Sequence, residues 1–556
     1  MMKSIVLFLC AAPIYAQGLD PGALLKPPTD TWPSYNGDYS GRRYSTLSRI
    51  NEDNVRSLTL AWAFQAHQQE LKSTPLEVNG ILYFTVPNHV WAVDARTGRQ
   101  IWHFQRQSEG DDIGQRGVAM YGDRLFFGTP DAHLICLDAR SGKKIWEVEV
   151  ADVKFGYYIS MAPLVVKDRL IVGISGDQTD IAGFLDARSP RDGGLLWRWD
   201  SLPKPGQFGS ETWPNRDAMA HGGGTTWMTG TYDPELNLLY WGTGNPHPVL
   251  AGRVRPGANL YTCSIVAINA DTGKLIWYFQ PSPHDTQDRD ATETPILFDA
   301  DFQGRPRKLL AQASRNGYFF LLDRATGENL LSTRFGPENW SAGLNKRGEP
   351  IPKPEKEPQP AGVLFEGTGT NWWAPSFDPD TGLFYVNAYH HFAVTYLTRN
   401  GEDEASASDH QGGADTPLWS QAMLLAIDYK TGAIRWRRDS PVGPGEAFVS
   451  VGAGILTTAG HLLFTGDNAG DLVALDPATG GSLWHVFAGG RLTGCPMTYE
   501  LNGQQYLLTA VDSVLYAWVL PREAPFAAVP PSSHVSDLET PEFSEFFQLR
   551  RPQKRR

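Results

Sequence analysis

The chain alternates short apolar runs with short polar turns through most of its length. Residues 461–484, HLLFTGDNAGDLVALDPATGGSLW, show the pattern: the runs LLFTG, LVALD and SLW are separated by DNAGD and PATGG. Gly, Asp, Asn and Pro supply the backbone conformations that tight turns need. The pattern therefore predicts short antiparallel β-strands joined by tight turns.

A unit of this kind recurs about every 45 residues, a period typical of a β-propeller. The unit carries a D-x-x-T/S-G turn and then an apolar strand that usually ends in Trp, as in AVDARTGRQIW, which ends at Trp102. Repeated docking of such a Trp between neighbouring blades would account for the 18 Trp residues of the chain. We therefore predict an all-β, eight-bladed β-propeller with tryptophan-docking repeats. The eight predicted units end at residues 102, 146, 197, 277, 331, 436, 484 and 518.

The strand LTLAWAF around Trp62 resembles an outer strand that has no unit of its own. We expect it to close the ring beside the last blade, because closure leaves no free sheet edge.

Three regions follow from the pattern. Residues 1–16 carry one Lys, an apolar run and then Ala16, which predicts a secretory signal peptide and a periplasmic or secreted protein. That run is far shorter than the roughly 20 apolar residues of a membrane-spanning helix, so no stable membrane span is expected. Residues 17–520 form the predicted propeller, and residues 521–556, which lack strand periodicity, are predicted to be a mobile tail.

Lipidation at Cys10 is the weaker alternative to cleavage after Ala16, because the bulky Leu9 precedes that cysteine. Inside the propeller, the Pro-rich residues 350–360 are expected to form an extended surface loop, and the polar residues 399–417 an insertion in the sixth unit.

Charge and cysteine usage exclude several classes of function. The net charge of −12 makes nucleic acid a poor partner. The four Cys residues form no C-x-x-C pair and no C-x-x-C-H motif, so zinc-ribbon, thioredoxin-type and covalent haem sites are not predicted.

Polar residues follow the apolar strands at the same phase in several units. LIVGIS leads to Ser175, LLYWGTG leads to Asn245, and KLLAQAS leads to Arg315. Equal phase places these side chains at one end of the ring, where a ligand can bind. The stretch HDTQDRDATETP, residues 284–295, here called the acidic loop, adds three aspartates within six positions. Carboxylates this close repel one another unless a positive charge lies between them.

These residues resemble those of the pyrroloquinoline quinone (PQQ)-dependent alcohol dehydrogenases, a family that includes the large subunit of methanol dehydrogenase. The resemblance runs from residue 32 to residue 508, most of the predicted mature chain. The motifs that carry it are GGGTTW (222–227), YWGTGNP (240–246), PHD (283–285), RNG (315–317) and TNWWAP (370–375).

The resemblance implies a cofactor site for PQQ. Trp227 matches the Trp that lies against the flat quinone, and an aromatic face suits a planar ligand. Arg116 matches an Arg that pairs with a PQQ carboxylate. The other residues that the resemblance assigns to the cofactor are Ser160, Ser175, Thr225, Arg315 and Asn371.

The resemblance also implies a catalytic base and one metal cation. Asp288 matches the Asp that takes the proton of the substrate hydroxyl, and Arg315 matches the Arg near the reactive carbonyls. Asn245 matches a metal-ligating amide, and Asp288 would neighbour the metal. Asp290 stands where the lanthanide-using members have an extra carboxylate ligand, and a solvated loop carboxylate is the equally weighted alternative. The cation would be Ca²⁺ or a lanthanide, both of which prefer oxygen ligands. Asp285 is expected to be a turn residue.

The chain departs from the family pattern in three ways. A metal-ligating Glu is replaced by Gln178, whose amide oxygen can still coordinate but lacks the charge. An adjacent Cys pair that covers the quinone is replaced by Gly110 and Asp111. A Glu near the cofactor is replaced by Lys72, which could pair with a PQQ carboxylate.

Two functions are consistent with these residues. The first is a periplasmic PQQ-dependent dehydrogenase that oxidises an alcohol and passes electrons to a separate c-type cytochrome, since the sequence holds no covalent haem motif. The second is a non-catalytic propeller that serves as a binding or envelope scaffold protein. Such a scaffold would not need Asn245, Asp288 and Arg315 at one end of the ring, which favours the enzyme.

Overall fold

The computed structural model describes residues 18–25, 28–66, 70–108, 114–176, 179–398, 412–440 and 453–521. The compact unit that holds the strands ends at Leu520. The predicted signal peptide and the predicted tail beyond residue 521 lie outside the described residues, so both stay predictions.

Within these ranges the chain is nearly all strand. It has one α-helix, Arg216–Ala220, and short 3-10 helices at Pro21–Leu25, Val55–Ser57, Val153–Phe155, Ser210–Thr212, Gly252–Val254 and Pro354–Lys356. No helix among the described residues has the length and apolar character that crossing a bilayer requires.

Eight sheets of four or five strands, numbered here in chain order, account for most of the described residues. In sheets 1 to 4, four consecutive antiparallel strands pair in sequence order. Sheet 1 comprises Leu76–Val78, Ile81–Val86, His89–Asp94 and Gln100–Gln105; sheet 2 Ala119–Tyr121, Arg124–Gly128, His133–Asp138 and Lys144–Glu149; sheet 3 Leu164–Val166, Arg169–Gly173, Phe184–Arg188 and Leu195–Asp200; sheet 4 Thr231–Asp233, Leu238–Gly242, Ile265–Asn269 and Leu275–Phe279.

Sheet 5 repeats this plan. Sheets 6 and 7 each have a fifth strand, and sheet 8 takes its last strand from the N-terminal part of the chain. Sheet 5 comprises Ile296–Phe302, Arg305–Ala313, Tyr318–Asp323 and Asn329–Arg334; sheet 6 Val363–Gly369, Ser376–Asp378, Leu383–Leu397, Gly413–Asp428 and Ile434–Asp439; sheet 7 Tyr44–Ser45, Leu456–Thr458, Leu462–Gly466, Asp471–Leu475 and Ser482–Phe487; sheet 8 Met497–Leu501, Gln504–Val511, Val514–Val519 and Thr59–Gln65. A separate two-stranded sheet joins Ser341–Leu344 to Pro350–Pro352.

Burial decreases from the first strand of a sheet to its last strand. The first strand of sheet 3, Leu164–Val166, is fully buried, whereas its last strand, Leu195–Asp200, alternates exposed and buried residues. The predicted end residues of the units fall one to each sheet. The fold is the predicted β-propeller, and the count of eight blades stays a prediction.

The N-terminal part of the chain completes the last two sheets. Thr59–Gln65 pairs antiparallel with Val514–Val519 as the outer strand of sheet 8. Trp62 therefore occupies the outer strand, where the repeat Trp residues lie in the other sheets. This confirms the predicted role of the Trp62 strand. Tyr44–Ser45 adds a parallel strand to Leu456–Thr458 of sheet 7.

The repeated Trp residues dock onto the turn of the next sheet. The indole N–H of Trp102, in sheet 1, donates to the carbonyl of Ala139 in sheet 2 at 3.0 Å, and its ring lies against Gly142 of the same turn. The same donation joins Trp62 to Ala95, Trp197 to Ala270, Trp277 to Arg324 and Trp436 to Pro477. Because Trp62 of sheet 8 docks onto the turn of sheet 1, the contact also links the last sheet to the first.

Trp146 is one exception, and it shows what the turn contributes. Its ring lies near Gly193 of sheet 3, but the turn there is longer, and the buried Nε1 of Trp146 has no hydrogen-bond partner. The apolar contact is kept at this junction while the polar one is lost.

Two predictions about the insertions were wrong in part. Residues 350–360 are not an extended loop throughout, since they contain the strand Pro350–Pro352 and the 3-10 helix Pro354–Lys356. The strands flanking the sixth-unit insertion, Leu383–Leu397 and Gly413–Asp428, are far longer than their counterparts, so residues 413–417 belong to a strand. The polar sequence of residues 413–417 did not predict a strand. These residues form one because their backbone groups pair with the strand Leu383–Leu397. Residues 399–411 lie outside the described residues.

We expect Gly273→Ala to destabilise the protein more than Gly304→Ala. Both glycines have φ near +70°, which costs an Ala about 1–2 kcal/mol. A Cβ at Gly273 would lie 2.6 Å from the Trp197 ring, whereas at Gly304 nothing lies within 4 Å. Overpacking adds about 1–3 kcal/mol for Gly273→Ala alone. Urea denaturation measures both variants, and equal losses would show that close docking of Trp197 does not matter.

Candidate functional site

Two kinds of loop meet at one edge of every sheet. Because neighbouring strands are antiparallel, the loop that enters the first strand lies beside the loop that leaves the second. In sheet 5, the acidic loop enters Ile296–Phe302, and Arg315 follows Arg305–Ala313. Ser175 and Asn245 follow the second strands of sheets 3 and 4 in the same way. The topology thus brings the sequence-predicted residues to one end of the sheets.

Hydrogen bonds connect these loops from sheet to sheet. The backbone N–H of Thr74 donates to Arg116 O, and that of Arg116 donates to Ser160 O, both at 2.9 Å. The Ser160 hydroxyl then donates to Trp227 O at 3.3 Å. The loops of sheets 1 to 4 therefore form a continuous hydrogen-bonded rim.

Asp290 is the buried centre of the rim between sheets 4 and 5. The carboxylate is fully buried and accepts the indole N–H of Trp227 at 2.9 Å and the backbone N–H of Asn245 at 2.5 Å. Asp290 is therefore an anchor for the indole, and the alternative of a solvated loop carboxylate is wrong because the side chain has no exposed surface.

Four predicted residues present hydroxyl or amide groups beside this anchor. Ser160 and Ser175 are both buried, and their hydroxyl oxygens lie 2.8 Å apart. The Thr225 hydroxyl and the Asn245 side-chain oxygen are also buried, and neither atom has a hydrogen-bond partner. Buried polar atoms are nearly always satisfied, so these two acceptors indicate that the site receives something further.

The Asp288 carboxylate faces Arg315. Arg315 Nη2 donates to Asp288 Oδ2 at 2.7 Å, and Nη1 lies 3.7 Å from Asp290 Oδ2. Burial would lower the pKa of Arg315, but Asp288, then Tyr389 and Asp290, raise it well above its usual range. Arg315 is therefore cationic at every accessible pH. About a third of the Asp288 side chain is exposed, so the carboxylate can also meet a small molecule.

Aromatic rings enclose Arg116. Its guanidinium carbon lies 4.8 Å from the Trp227 ring centroid and 5.0 Å from that of Trp372. Asn371 precedes Trp372, and its side-chain oxygen accepts the Trp372 backbone N–H at 2.8 Å. The predicted cofactor residues Arg116, Trp227 and Asn371 thus occupy one corner of the site, with flat apolar faces and a cation together.

Lys72 lies at the start of the rim. Its side chain packs against Gly114, where an added Cβ would approach Lys72 Cδ to 2.6 Å, and its Nζ lies 3.5 Å from Glu70 Oε2. Lys72 is thereby beside the loop that carries Arg116, as its predicted role requires. Gln178, Gly110 and Asp111 lie outside the described residues.

Within the acidic loop, Asp285 behaves as the predicted turn residue. Its two oxygens accept the backbone N–H groups of Gln287, at 3.2 Å, and Arg289, at 2.9 Å. This bonding holds the loop closed on the N-terminal side of Asp288.

Sequence reasoning missed Glu293. The residue is buried, it accepts the backbone N–H of Arg315, and its Oε2 has no hydrogen-bond partner. Burial raises the pKa of Glu293 to about 8, against the opposing effects of backbone hydrogen bonds and Arg315. Its position in the repeat could have identified Glu293 from the sequence. Glu293 lies three residues before the first strand of sheet 5, as Arg116 lies three residues before the first strand of sheet 2.

The long strands of sheet 6 supply one wall that was also missed. Tyr389 hydrogen-bonds to Arg315, and the Thr395 hydroxyl donates to Gln287 Oε1 of the acidic loop at 3.1 Å. Burial lowers the pKa of His391 to about 4, so this imidazole is neutral near pH 7. The wall therefore presents the Tyr389 ring, a neutral imidazole and, at Asp415, a carboxyl group whose pKa burial raises.

Comparison with known proteins now identifies the architecture. Residues 32–337 and 413–507 match the family model described as "PQQ: Glucose/ethanol/alcohol dehydrogenase, beta-propeller domain". The chain belongs to the PQQ-dependent alcohol dehydrogenase family. The family model leaves out residues 338–412, the segment that contains Asn371, Trp372 and much of the sheet 6 wall.

Individual relatives agree with this membership. The enzyme is 35% identical over 516 residues to quinoprotein alcohol dehydrogenase PedH of Pseudomonas putida. This alignment covers 86% of this chain and 84% of PedH. The crystal structure of the quinohemoprotein alcohol dehydrogenase from Comamonas testosteroni superposes with a TM-score of 0.84 at 31% identity, covering 92% of this chain and 83% of that one. A europium-containing methanol dehydrogenase gives 0.82 at 28% identity, covering 90% and 99%.

Replacing Glu293 by Gln should flatten the pH dependence of stability. A carboxyl whose pKa is about 8 when folded and near 4.5 when unfolded binds an extra proton on folding between those values. Stability therefore falls as pH rises through this range, by up to about 1.4 kcal/mol per pH unit. Glu293→Gln removes this fall, which urea denaturation at about pH 5 and about pH 8 will measure.

Glu77→Gln is the matched control, since burial also raises the pKa of Glu77 to about 8 and its carboxylate caps Gly80 in a turn of sheet 1. Both variants should flatten the pH dependence, but only Glu293→Gln should alter the Arg315 site. Unchanged pH slopes in Glu293→Gln would contradict the assignment.

Proposed function

We propose that this enzyme is a periplasmic PQQ-dependent dehydrogenase that oxidises an alcohol, with one bound metal cation and Asp288 as general base, and that electrons leave to a separate c-type cytochrome. The observation that carries the proposal is the Asp288–Arg315 pair. It presents a partly exposed carboxylate at 2.7 Å from a permanent cation, beside the buried Asp290 anchor.

The residues present fit a flat, polycarboxylate quinone. Trp227 and Trp372 offer aromatic faces, and Arg116 and Lys72 offer positive charge for carboxylates. The unsatisfied Thr225 hydroxyl and the Ser160–Ser175 pair supply polar groups for the edges of the ring system. Asn371 and Arg315 would complete the set.

The donor set also fits a hard cation. Asn245 Oδ1 is buried and unsatisfied, and Arg315 lies 2.7 Å from Asp288 Oδ2 and 3.7 Å from Asp290 Oδ2. Amide and carboxylate oxygens are the ligands that Ca²⁺ and lanthanides prefer. We propose that Asn245, Asp288, Asp290 and Gln178 would hold the cation. Among the described residues, no group of three or more His, Cys, Asp and Glu side chains is placed to hold a metal ion, so the proposed site depends on amide oxygens as well as carboxylates.

Bound PQQ would supply the acceptor for the hydride of the alcohol carbon, and a bound cation would supply Lewis-acid polarisation. Asp288 would take the hydroxyl proton of the alcohol on the carboxylate that Arg315 orients. Because Asp288 is partly exposed, the proton can then pass to solvent. Arg315 keeps its charge throughout, so it favours the ionised, proton-accepting form of Asp288.

Two sequence features support the proposed electron route and compartment. The chain has no C-x-x-C-H motif, so a separate cytochrome would carry electrons away, and the apolar segment before Ala16 would direct export. Purified exported protein should begin at Gln17, and alcohol addition should reduce an added c-type cytochrome. An unprocessed N-terminus would contradict export by cleavage.

We expect Asp288→Asn to abolish most turnover without removing the cofactor. Asn, like Asp, tolerates the φ of +58° at this position, so the loop keeps its shape. A lost general base lowers kcat by about 100-fold or more. Dye reduction with PQQ, Ca²⁺ or La³⁺ and a panel of alcohols measures turnover, and quenching of Trp fluorescence measures PQQ binding.

Asp168→Asn is the control for this variant, because that carboxylate is exposed in a turn of sheet 3. It should match the unmodified enzyme in both assays. Full activity of Asp288→Asn would rule out the proposed base, and failure of the unmodified enzyme to bind PQQ with either metal would overturn the function itself.

Removing Asp290 should cost lanthanide affinity more than calcium affinity. A trivalent cation gains more than a divalent one from an additional carboxylate. We expect Asp290→Ala to weaken La³⁺ binding at least tenfold relative to Ca²⁺ in calorimetric titrations, whereas Asn245→Ala should weaken both metals similarly. Equal losses of both metals in Asp290→Ala would indicate that Asp290 serves only to anchor Trp227.

A further inference from the structure

A second small cavity opens beside the acidic loop. Its volume is about 90 Å³, and neither Asp288 nor Arg315 lines it. Its walls include Arg289, the ring of Trp340, and Lys353 and Lys356 of the segment that follows the two-stranded sheet. The cavity is thus separate from the site described above, although Arg289 lies between Asp288 and Asp290 in the chain.

Arg289 is an incompletely paired buried cation. Only 6% of its side chain is exposed, and its Nε donates to Asp285 Oδ1 at 2.9 Å. Its guanidinium carbon lies 3.9 Å from the Trp340 ring centroid. The buried Nη1 has no hydrogen-bond partner. Leaving a charged donor unsatisfied away from water is costly, so this edge of Arg289 favours an acceptor in the cavity.

Direct carboxylate pairing of the buried cations beside the cavity is incomplete. Arg255 is as buried as Arg289, but its guanidinium donates to the carbonyls of Pro248, Val249 and Asp285 and to the Asn259 amide oxygen, with no carboxylate. Among the described residues, Asp285 is the carboxylate hydrogen-bonded to these guanidinium groups, since its Oδ1 accepts from Arg289 Nε. Glu357 acts on Arg255, and Glu338 on Arg289, through space alone. Burial lowers the pKa of Arg255 to about 10. The two buried cations thus share one hydrogen-bonded carboxylate, a surplus of positive over directly paired negative charge.

The mouth of the cavity adds to this surplus. Lys353 Nζ and Lys356 Nζ each donate to a backbone carbonyl, of Asn339 and Leu364 respectively, at 3.1 Å. An ammonium group has three N–H donors, so both lysines keep donors for a ligand. The acidic group at this rim, Glu357, is engaged by His284 at 2.8 Å.

We propose that this cavity is a binding site for a small monovalent carboxylate, of the size of formate or acetate. The carboxylate would accept from Arg289 Nη1 and from the two lysine ammonium groups, over the apolar floor of Trp340. A guanidinium edge matches the two oxygens of a carboxylate, and the negative charge would pair with the cations that lack a hydrogen-bonded carboxylate. The volume equals that of about three liquid waters, which fits such an anion but not a sugar acid.

Occupancy would stiffen the acidic loop. Arg289 holds Asp285 from one side, and Gln287 Nε2 reaches Lys356 O at 3.4 Å, so the loop and the lysine segment are already in contact. An anion shared by Arg289, Lys353 and Lys356 would tie the two together. Binding of this anion does not depend on the proposed dehydrogenase activity.

The test is calorimetric titration of the full chain, without PQQ, with sodium acetate, phosphate or chloride. Sodium gluconate, whose anion exceeds the cavity, keeps the ionic strength constant. We expect saturable acetate binding and a rise in Tm. The double variant Lys353→Gln, Lys356→Gln should weaken acetate binding at least tenfold, because both ammonium donors are lost while buried Arg289 and the fold remain.

Lys346→Gln with Lys430→Gln is the control, since both lysines are exposed and neither lines the cavity. This pair should bind acetate as the unmodified protein does. Asp288→Asn should also retain acetate binding, which separates this site from the catalytic one. Equal acetate affinity in the double variant and the unmodified protein would overturn the proposal, and so would binding of phosphate or chloride without acetate.

Discussion

The structure depends on one repeated contact, the indole of a Trp docked on the turn of the next sheet. The indole N–H reaches a backbone carbonyl of that turn, and the ring covers a glycine with positive φ that has no Cβ to interfere. Such a contact sets both the spacing and the rotation between neighbouring sheets. A longer turn, as at Trp146, keeps the apolar half of the contact and loses the hydrogen bond.

Fixed rotation explains why the site can be assembled from residues far apart in sequence. Each sheet contributes the loop before its first strand and the loop after its second, and the docking contacts bring these loops to the same edge. The hydrogen bonds from Thr74 to Arg116 and from Arg116 to Ser160 then join them. Asp290 extends the series by holding Trp227 and Asn245 with a single buried carboxylate. A rigid ring therefore positions a set of polar and charged groups that no single sheet could hold.

The sequence predicted the features that repeat. The Trp pattern led to the propeller, the Trp62 strand led to its closing partner in sheet 8, and strand-end polarity grouped Ser175, Asn245 and Arg315. Features that occur once were harder to predict. Glu293 stands among threonines in a polar loop, and its burial arises only when the loop folds beneath Arg315. Arg289 likewise looks solvated between two aspartates, although Trp340, fifty residues further on, covers it. Tertiary contacts between distant segments leave no periodic signal in the local sequence.

Closure of the ring also constrains how the protein can be made. The last sheet joins Thr59 to Val519, residues 460 positions apart, and a further strand near residue 44 completes sheet 7. Local contacts form early in folding, whereas pairing at such sequence separation comes late. During synthesis, the Thr59–Gln65 strand must therefore wait with unpaired backbone groups until nearly the whole chain has emerged. The unpaired Thr59–Gln65 strand is therefore more vulnerable to aggregation before folding is complete than in the finished enzyme. Chaperone protection of the unfolded chain would matter most at this stage.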